Sequence, residues 1–274
     1  MLQAITRAVS RNITRCELTF RARECVDYDK AVFQHEEYCA LLSRCGAQVV
    51  TLEACDENPD CCFVADTAIV LDEMAILASM GAPTRRDEVS AVTESIRTHR
   101  EIVRLAPHAR LDGGDVLVMG RHIFVGRSRR TDSEGIASLA QLARPFGYTV
   151  TPVSVTGSLH LTTACSALNE ETVLLNPRWI DAAPFAAYWV LPVPEDEPWA
   201  ASTMRVGETM CVEADAPRTL ELVSQHCRNV AVSDISEFRK AEGSLPCLSI
   251  LFRDTPQKPI DQNVNQNKEI THAE

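Results

Sequence analysis

Three short stretches of this chain carry side chains able to do covalent chemistry. Leu111-Asp112-Gly113-Gly114-Asp115-Val116 sets two carboxylates around a glycine pair just ahead of an apolar run, where glycine lets another backbone or a ligand approach closely. Gly157-Ser158-Leu159-His160-Leu161 places a histidine between leucines, and Gly243-Ser244-Leu245-Pro246-Cys247-Leu248-Ser249 places a cysteine just after a turn. Singly, each has a bland explanation: a turn, a core histidine, a core thiol. Together they supply a nucleophile in Cys247, a proton carrier in His160 and a carboxylate in Asp112 to orient it, the general form of an activated-cysteine site.

Charge narrows the partners. A formal net charge of -11 argues against nucleic acid and anionic membrane surfaces, which demand clustered Lys and Arg, and is compatible with a small cationic molecule. The eleven cysteines are scattered without CxxC pairs or a matching histidine spacing, so no metal site is expected from them. Cys61 and Cys62, close to Cys55, read as neighbours on a strand pointing to opposite faces. No segment approaches about 20 consecutive apolar residues and no basic start leads into a long apolar stretch, so neither a membrane span nor a signal peptide is indicated. The expectation is a soluble, cytoplasmic, cofactor-free protein whose thiols are mostly small core residues in a reducing compartment.

The elements that must position these residues form a repeat. Two short strands are joined tightly, then an amphipathic helix follows, then another strand. The clearest copy runs from Asp115 to Met119, turns at Gly120-Arg121-His122, returns as Ile123 to Gly126, and enters a helix whose expected capping box is Thr131 with Glu134. Ile136, Leu139, Ala140 and Ala143 follow at helical spacing before the β-branched run Thr149 to Val155. A second copy starts at Phe63 to Asp66, continues through Met74 to Leu77 and enters a helix over Val89 to Leu105. A third pairs Met204-Arg205-Val206 with Met210-Cys211-Val212 ahead of a helix opened by Pro217. Further copies lie around Cys165 to Leu175 and across the two termini. Such a ββαβ unit, repeated about five times at roughly 50 residues, predicts an α/β ring of five blades around a central cavity. Ala241 to Phe252 reads as its last apolar strand. The polar, proline-containing segment 254–274 lacks the apolar surface to fold and is expected to be a disordered tail after a single domain, 1–253.

Seven ordered motifs run through the chain: Glu17-Leu18-Thr19 with Asp27 and Gln34-His35; Pro59-Asp60 with Phe63-Val64-Ala65-Asp66; Gly81-Ala82-Pro83 with Arg85-Arg86; Leu111 to Val116; Arg130-Thr131; Leu159-His160-Leu161; and Cys247-Leu248-Ser249. On these motifs the sequence, from about Arg15 to Phe252, resembles the dimethylarginine dimethylaminohydrolase family of the guanidino-group-modifying enzyme superfamily. The resemblance carries several expectations. It implies a five-bladed α/β propeller and hydrolysis of N-methylated arginines to citrulline and a methylamine. It further implies Cys247 as nucleophile, His160 as general acid and base, and Asp112 as the carboxylate partner of the histidine. Asp66 would hold the guanidinium with Asp60 assisting nearby, Arg85 and Arg130 would grip the substrate carboxylate, and Leu18 would sit on a lid loop.

Physical chemistry supports these roles. A guanidinium carbon is a poor electrophile because its charge is delocalised, so attack needs a thiolate and a carboxylate that fixes the plane. A cationic substrate beside Cys247 favours the thiolate, and one imidazole can protonate the departing amine and then deprotonate the hydrolytic water. Two departures from the family pattern bear on substrate identity. Ala65 stands where a Glu is frequent, and Thr162 stands two residues after the histidine, where Lys is common and arginine deiminases resemble one another in having Asp. Two rivals stay open: an arginine deiminase or a hydrolase of another modified guanidine, and a non-catalytic guanidine-binding ring. No metal is required, although zinc sharing the pocket of Cys247 and His160 would inhibit, and a homodimer is allowed.

Overall fold

The computed structural model describes residues 1–254, so of the expected tail only Asp254 lies within it. The first blade opens with β1 (Leu2–Arg7), crosses through α1 (Tyr28–Arg44) and returns as β2 (Ala47–Leu52), parallel to β1. Asp27 starts α1 by accepting the Lys30 N–H at 3.1 Å, and Ala31, His35, Tyr38 and Leu42 then fall on its buried face at helical spacing.

Three complete ββαβ units follow the same rule: the first strand pairs antiparallel with the second, and the second pairs parallel with the third across a helix. They are β3 (Ala68–Val70), β4 (Met74–Leu77), α2 (Glu88–Ile96) and β5 (Glu101–Arg104); then β6 (Val116–Met119), β7 (His122–Arg127), α3 (Ser133–Ala143) and β8 (Thr149–Ser154). In the next unit the short α4 (Leu161–Ala164) precedes β9 (Cys165–Ala167), β10 (Thr172–Leu175) and β11 (Trp189–Pro192), with the 3-10 turn Ala183–Phe185 in place of a full helix. The last unit is β12 (Met204–Val206), β13 (Thr209–Glu213), α5 (Pro217–His226) and β14 (Asn229–Ser233). After α6 (Ser236–Lys240), β15 (Ile250–Arg253) pairs antiparallel with β1 and completes the first blade from the other end of the chain. Five three-stranded sheets result, the five-bladed α/β propeller expected from the repeat.

The apolar residues divide into five clusters, and each lies between neighbouring blades rather than inside one. Ile69 and Ile76 meet Ile123, Leu139 and Tyr148; Phe124 and Val153 meet Val173 and Phe185; Leu174 and Val193 meet Met210 and Val223. The ring closes through Met204 and Ile235 against Tyr38 and Leu42, and through Ile5 and Phe252 against Leu77 and Ile96. With each full side-chain burial contributing about 1.5–3 kcal/mol, blade contacts hold the ring and leave the axis free for polar groups. Among the described residues no helix is long and apolar enough to cross a membrane.

Several expected boundaries move. Phe63 to Asp66 is no strand: the Thr67 hydroxyl donates to Val64 O at 2.7 Å and the Asp66 N–H to Phe63 O at 3.3 Å, closing the 3-10 turn Val64–Thr67. The helix expected to reach Leu105 stops at Ile96, because the β-branched Ile102 and Val103 pair with β4 instead. The helix cap at Thr131 belongs to Asp132, which accepts the Gly135 N–H at 2.8 Å. Cys61 and Cys62 are buried in a turn region, not on a strand. In Ala241 to Phe252 only Ile250 onward is strand; Pro246, lacking an N–H, starts the 3-10 turn Leu245–Leu248.

Candidate active site

One position in the repeat, the turn leading into the first strand of each blade, supplies most of the site. Asp66 lies in the turn before β3, Asp112 immediately before the turn Gly113–Asp115 that leads into β6, His160 at the start of α4 before β9, and Cys247 in the turn before β15. In the fifth blade the same place holds Ser202 and Thr203, whose hydroxyls bond Thr162 O at 2.8 Å and the Ser166 hydroxyl at 2.6 Å.

His160 sits between two carboxylates. Its Nε2 lies 3.1 Å from Asp112 Oδ2 and its Nδ1 lies 3.5 Å from Asp66 Oδ1. Asp112 is fixed in turn, since its Oδ1 accepts the Gly81 N–H at 2.8 Å and its backbone N–H donates to the Thr131 hydroxyl at 3.2 Å. The close approach depends on glycine: a Cβ on Gly114 would stand 2.7 Å from His160 Nδ1 and closer still to Asp66 Oδ1. Burial disfavours the imidazolium, but Asp66, Asp112 and Asp115 outweigh it and raise the His160 pKa to about 9. Burial likewise pushes Asp66 up, while His160 and Arg85 beside it hold its carboxyl below the usual range.

Cys247 is buried, with the Ser244 hydroxyl 3.1 Å from its sulfur. Burial, then the charge of Asp66, push its thiol up to about 11, against the smaller opposing influence of Ser244 and Arg239. A cavity of about 180 Å³ is lined by Cys247 together with Ala65, Gly113, Gly114, Thr162 and Pro246, while Asp66, Asp112 and His160 lie outside its lining. The Thr162 hydroxyl donates to Gly114 O at 2.7 Å, so neither Ala65 nor Thr162 adds an anion to this cavity. Among the described residues no group of three or more His, Cys, Asp or Glu side chains is arranged to hold a metal ion.

The residues expected around the substrate separate into two groups. Leu18, on the loop expected to act as a lid, packs against the cluster that contains Cys247, Leu245 and Phe63, and the buried Asp60 accepts the Glu17 N–H at 3.1 Å, so Asp60 anchors the base of that loop. Burial raises the Asp60 carboxyl despite nearby Arg85. Arg130 is buried too; its Nη1 stands 3.8 Å from Asp112 Oδ2 and has no hydrogen-bond partner among the described residues. Arg85 departs from the expectation. Its Nη1 donates to Asp66 Oδ2 at 2.6 Å, its Nε and Nη2 donate to Glu88, and Nη2 also reaches Phe63 O at 3.1 Å. A guanidinium with buried carboxylates on two sides is committed to the protein, not held open for a substrate carboxylate.

Sequence reasoning gave no role to several residues that build the site. Asp115 accepts the Leu161 N–H at 3.0 Å and the Ser128 hydroxyl at 2.6 Å, anchoring the strand end beside His160; burial raises its pKa to about 6. The only signal for it was the second carboxylate of the glycine-pair motif. Thr131 was read as a cap and instead orients Asp112. Glu88, in a helix first turn, gave no signal that it would pair with Arg85.

Comparison with known proteins places these features in context. The family model for eukaryotic N,N-dimethylarginine dimethylhydrolase matches residues 6–184. The dimethylarginine dimethylaminohydrolase of Streptomyces coelicolor is 34% identical over 253 residues, covering 92% of this chain and 97% of that relative. That of Pseudomonas aeruginosa is 28% identical, covering 82% and 90%. A solved structure of the Pseudomonas aeruginosa protein, a cysteine-to-serine variant in complex with citrulline, superposes with a TM-score of 0.88 at 27% identity, covering 92% of this chain and all (100%) of that one.

Proposed function

The chain belongs to the dimethylarginine dimethylaminohydrolase family, and from that premise we propose that it hydrolyses the guanidinium C–N bond of N-methylated arginines, giving citrulline and a methylamine through a covalent intermediate on Cys247. One observation carries the reading. Asp66 Oδ1 is buried without a hydrogen-bond partner among the described residues, 3.5 Å from His160 Nδ1, in the ring centre that also holds Cys247. A buried, ionised carboxylate oxygen calls for a cationic N–H donor, and a guanidinium supplies one in a fixed plane.

The same geometry orders the chemistry. Without substrate, a thiol raised to about 11 stays protonated at neutral pH. A guanidinium seated against Asp66 neutralises a charge that disfavours the thiolate and adds a positive one, so the thiol gives its proton to solvent and ionises where its target carbon lies. Thiolate attack forms the C–S bond. His160, protonated at neutral pH by its two carboxylates, gives its Nδ1 proton to the departing amine as the C–N bond breaks, leaving a thiouronium on Cys247. The now neutral imidazole takes a proton from water, whose oxygen attacks the same carbon; the C–S bond breaks, the remaining hydroxyl proton passes to the departing sulfur and restores the thiol, citrulline departs, and Asp112 holds the ring through both steps. Arg130, with a donor to spare, binds the substrate carboxylate alone, while Arg85 fixes Asp66. With Ala65 and Thr162 at these two positions, neither supplies the guanidinium with a second anion beyond Asp66, which favours an alkylated group with fewer N–H donors to satisfy. Eleven unpaired cysteines suit the cytoplasm, where we place the protein.

Incubating purified protein with arginine, mono- and dimethylarginines and other guanidines, and assaying citrulline and released amine, tests the proposal. Citrulline from methylarginines in preference to arginine supports it. Preference for unmodified arginine moves the assignment to a deiminase, and inertness toward the whole panel favours a binding protein.

A further inference from the structure

We propose that Glu242 is a positioning residue that latches the loop Glu17–Arg21 down over the site, coupling lid closure to the turn that carries Cys247. The carboxylate of Glu242 is buried and presents Oε1 to three consecutive backbone N–H groups, of Thr19 at 2.9 Å, Phe20 at 2.5 Å and Arg21 at 2.6 Å. Three successive N–H groups converging on one oxygen form an anion-binding nest of charge-assisted hydrogen bonds, which ties down a loop that has no helix or strand of its own.

The backbone of Glu242 is itself strained. Its φ of +59° lies in the left-handed region, just past the end of α6, where glycine is the favoured residue and a glutamate is strained. A glutamate held there needs a compensating interaction, and the loop N–H groups are that interaction. Arg21 adds a second contact from the same loop, its guanidinium stacking 5.4 Å from the ring centroid of Trp199. At its base the loop is tied to Asp60 through the Glu17 N–H, and the Glu17 carboxylate accepts from the Thr84 hydroxyl at 2.7 Å. Between these anchors Leu18 packs against the cluster holding Cys247. Glu242 is five positions before the nucleophile (247 − 242), in a segment that Gly243 lets pass tightly against Phe63 and Phe238. Loosening the nest therefore frees the loop at its tip while leaving Cys247, His160 and Asp112 in place.

The latch rests on the proposed substrate reading only for its kinetic consequence, so the test has arms that do not need turnover. Glu242→Gly suits the left-handed backbone and removes the acceptor; Glu242→Gln keeps an oxygen for the nest, and the Oε2 it replaces has no hydrogen-bond partner among the described residues to lose. Hydrogen exchange of residues 17–21, alkylation of Cys247 by iodoacetamide and steady-state kinetics are measured on wild type and both variants. In wild type the Thr19, Phe20 and Arg21 amides should be protected despite lying outside any helix or strand. Glu242→Gly should speed their exchange and the alkylation by about tenfold or more and raise KM for methylarginine by at least as much with a smaller change in kcat, while Glu242→Gln stays within about threefold of wild type. Wild-type amides that exchange as freely as an open loop, or a Glu242→Gly protein with unchanged exchange and alkylation, overturn the latch whether or not methylarginine proves to be the substrate. Protected amides in a protein inert to every guanidine would leave the latch standing and remove the substrate.

Discussion

Arg85 Nη1 lies 2.6 Å from Asp66 Oδ2, so the carboxylate proposed to meet the substrate guanidinium already holds one guanidinium of the protein's own. The pairing fixes the carboxylate plane and leaves Oδ1 facing His160 Nδ1 at 3.5 Å without a hydrogen bond among the described residues. Glu88, 2.8 Å from Arg85 Nη2, completes a buried acid–base–acid row that no motif spacing announces.

Removing Arg85 should therefore cost stability as well as activity. Arg85→Ala leaves Glu88 buried and unpaired and Asp66 with His160 as its remaining cation, a loss of about 3–5 kcal/mol that lowers Tm by roughly 6–20 °C. Arg85→Lys keeps the charge but cannot bridge both acids as a fork and should fall between. A thermal melt of the three proteins checks this; an unchanged Tm for Arg85→Ala would return Arg85 to an open substrate-binding role.

Arg130 should behave in the opposite way. Its Nη1 has no hydrogen-bond partner among the described residues, so Arg130→Ala removes a substrate contact and little of the fold. For methylarginine, kcat/KM should fall about 10- to 150-fold, the equivalent of a charged hydrogen bond, while a methylated alkylguanidine lacking the carboxylate should be processed equally by both proteins. Equal losses on the two substrates would remove Arg130 from the carboxylate.

The contrast between these arginines shows where sequence reasoning stops. The ring was legible because its signal is periodic: each apolar strand and helix face recurs, and the interblade clusters follow from that pattern. Cys247, His160 and Asp112 were legible as types, since few combinations of side chains do covalent chemistry, and the repeat places each in the turn ahead of the first strand of its blade. Arg85 was not, because a guanidinium serves a buried ion pair as well as a substrate, and the choice depends on Glu88, three residues on, turning the same way. Thr131 failed for a similar reason: a hydroxyl before a helix caps it or bonds elsewhere, and the Asp112 N–H lay within reach. Tertiary partners, absent from any local window, decide such residues.

Cys247 should respond to cationic ligands. In free enzyme its thiol, at about 11, should be alkylated slowly at pH 7.5, with a rate that climbs through the alkaline range. A slowly processed guanidine seated at Asp66 should shift that pH profile downward if the reagent still reaches the sulfur, and Asp66→Asn should abolish the ligand-induced shift. Mass spectrometry of carbamidomethylated Cys247 across pH 6.5–10.5 reads both. A profile centred near the ordinary cysteine value without ligand would sink this account, and Cys247→Ser should abolish turnover with its melting curve intact.

His160 makes the last prediction, a stability difference with a definite sign. Its folded pKa of about 9 lies above the ordinary 6.5, because Asp66, Asp112 and Asp115 outweigh burial. A raised pKa means the folded protein binds the proton more tightly than the unfolded chain, so the contribution is fully present below pH 6.5 and is lost as pH rises toward 9. The background also titrates: burial raises Glu213 to about 7 and Asp115 to about 6, so absolute stability drifts with pH for reasons unrelated to His160. Comparing wild type with His160→Asn by denaturant unfolding at pH 7, 8 and 9.5 cancels most of that drift. The wild-type advantage should be greatest at pH 7 and shrink by on the order of 2 kcal/mol by pH 9.5. The same proton should fail catalysis in the variant. His160→Asn lacks the donor for the departing amine and the base for water, so a slowly reacting variant should carry a thiouronium mass increase on Cys247. A pH-independent stability difference together with wild-type turnover would reduce His160 to a core histidine.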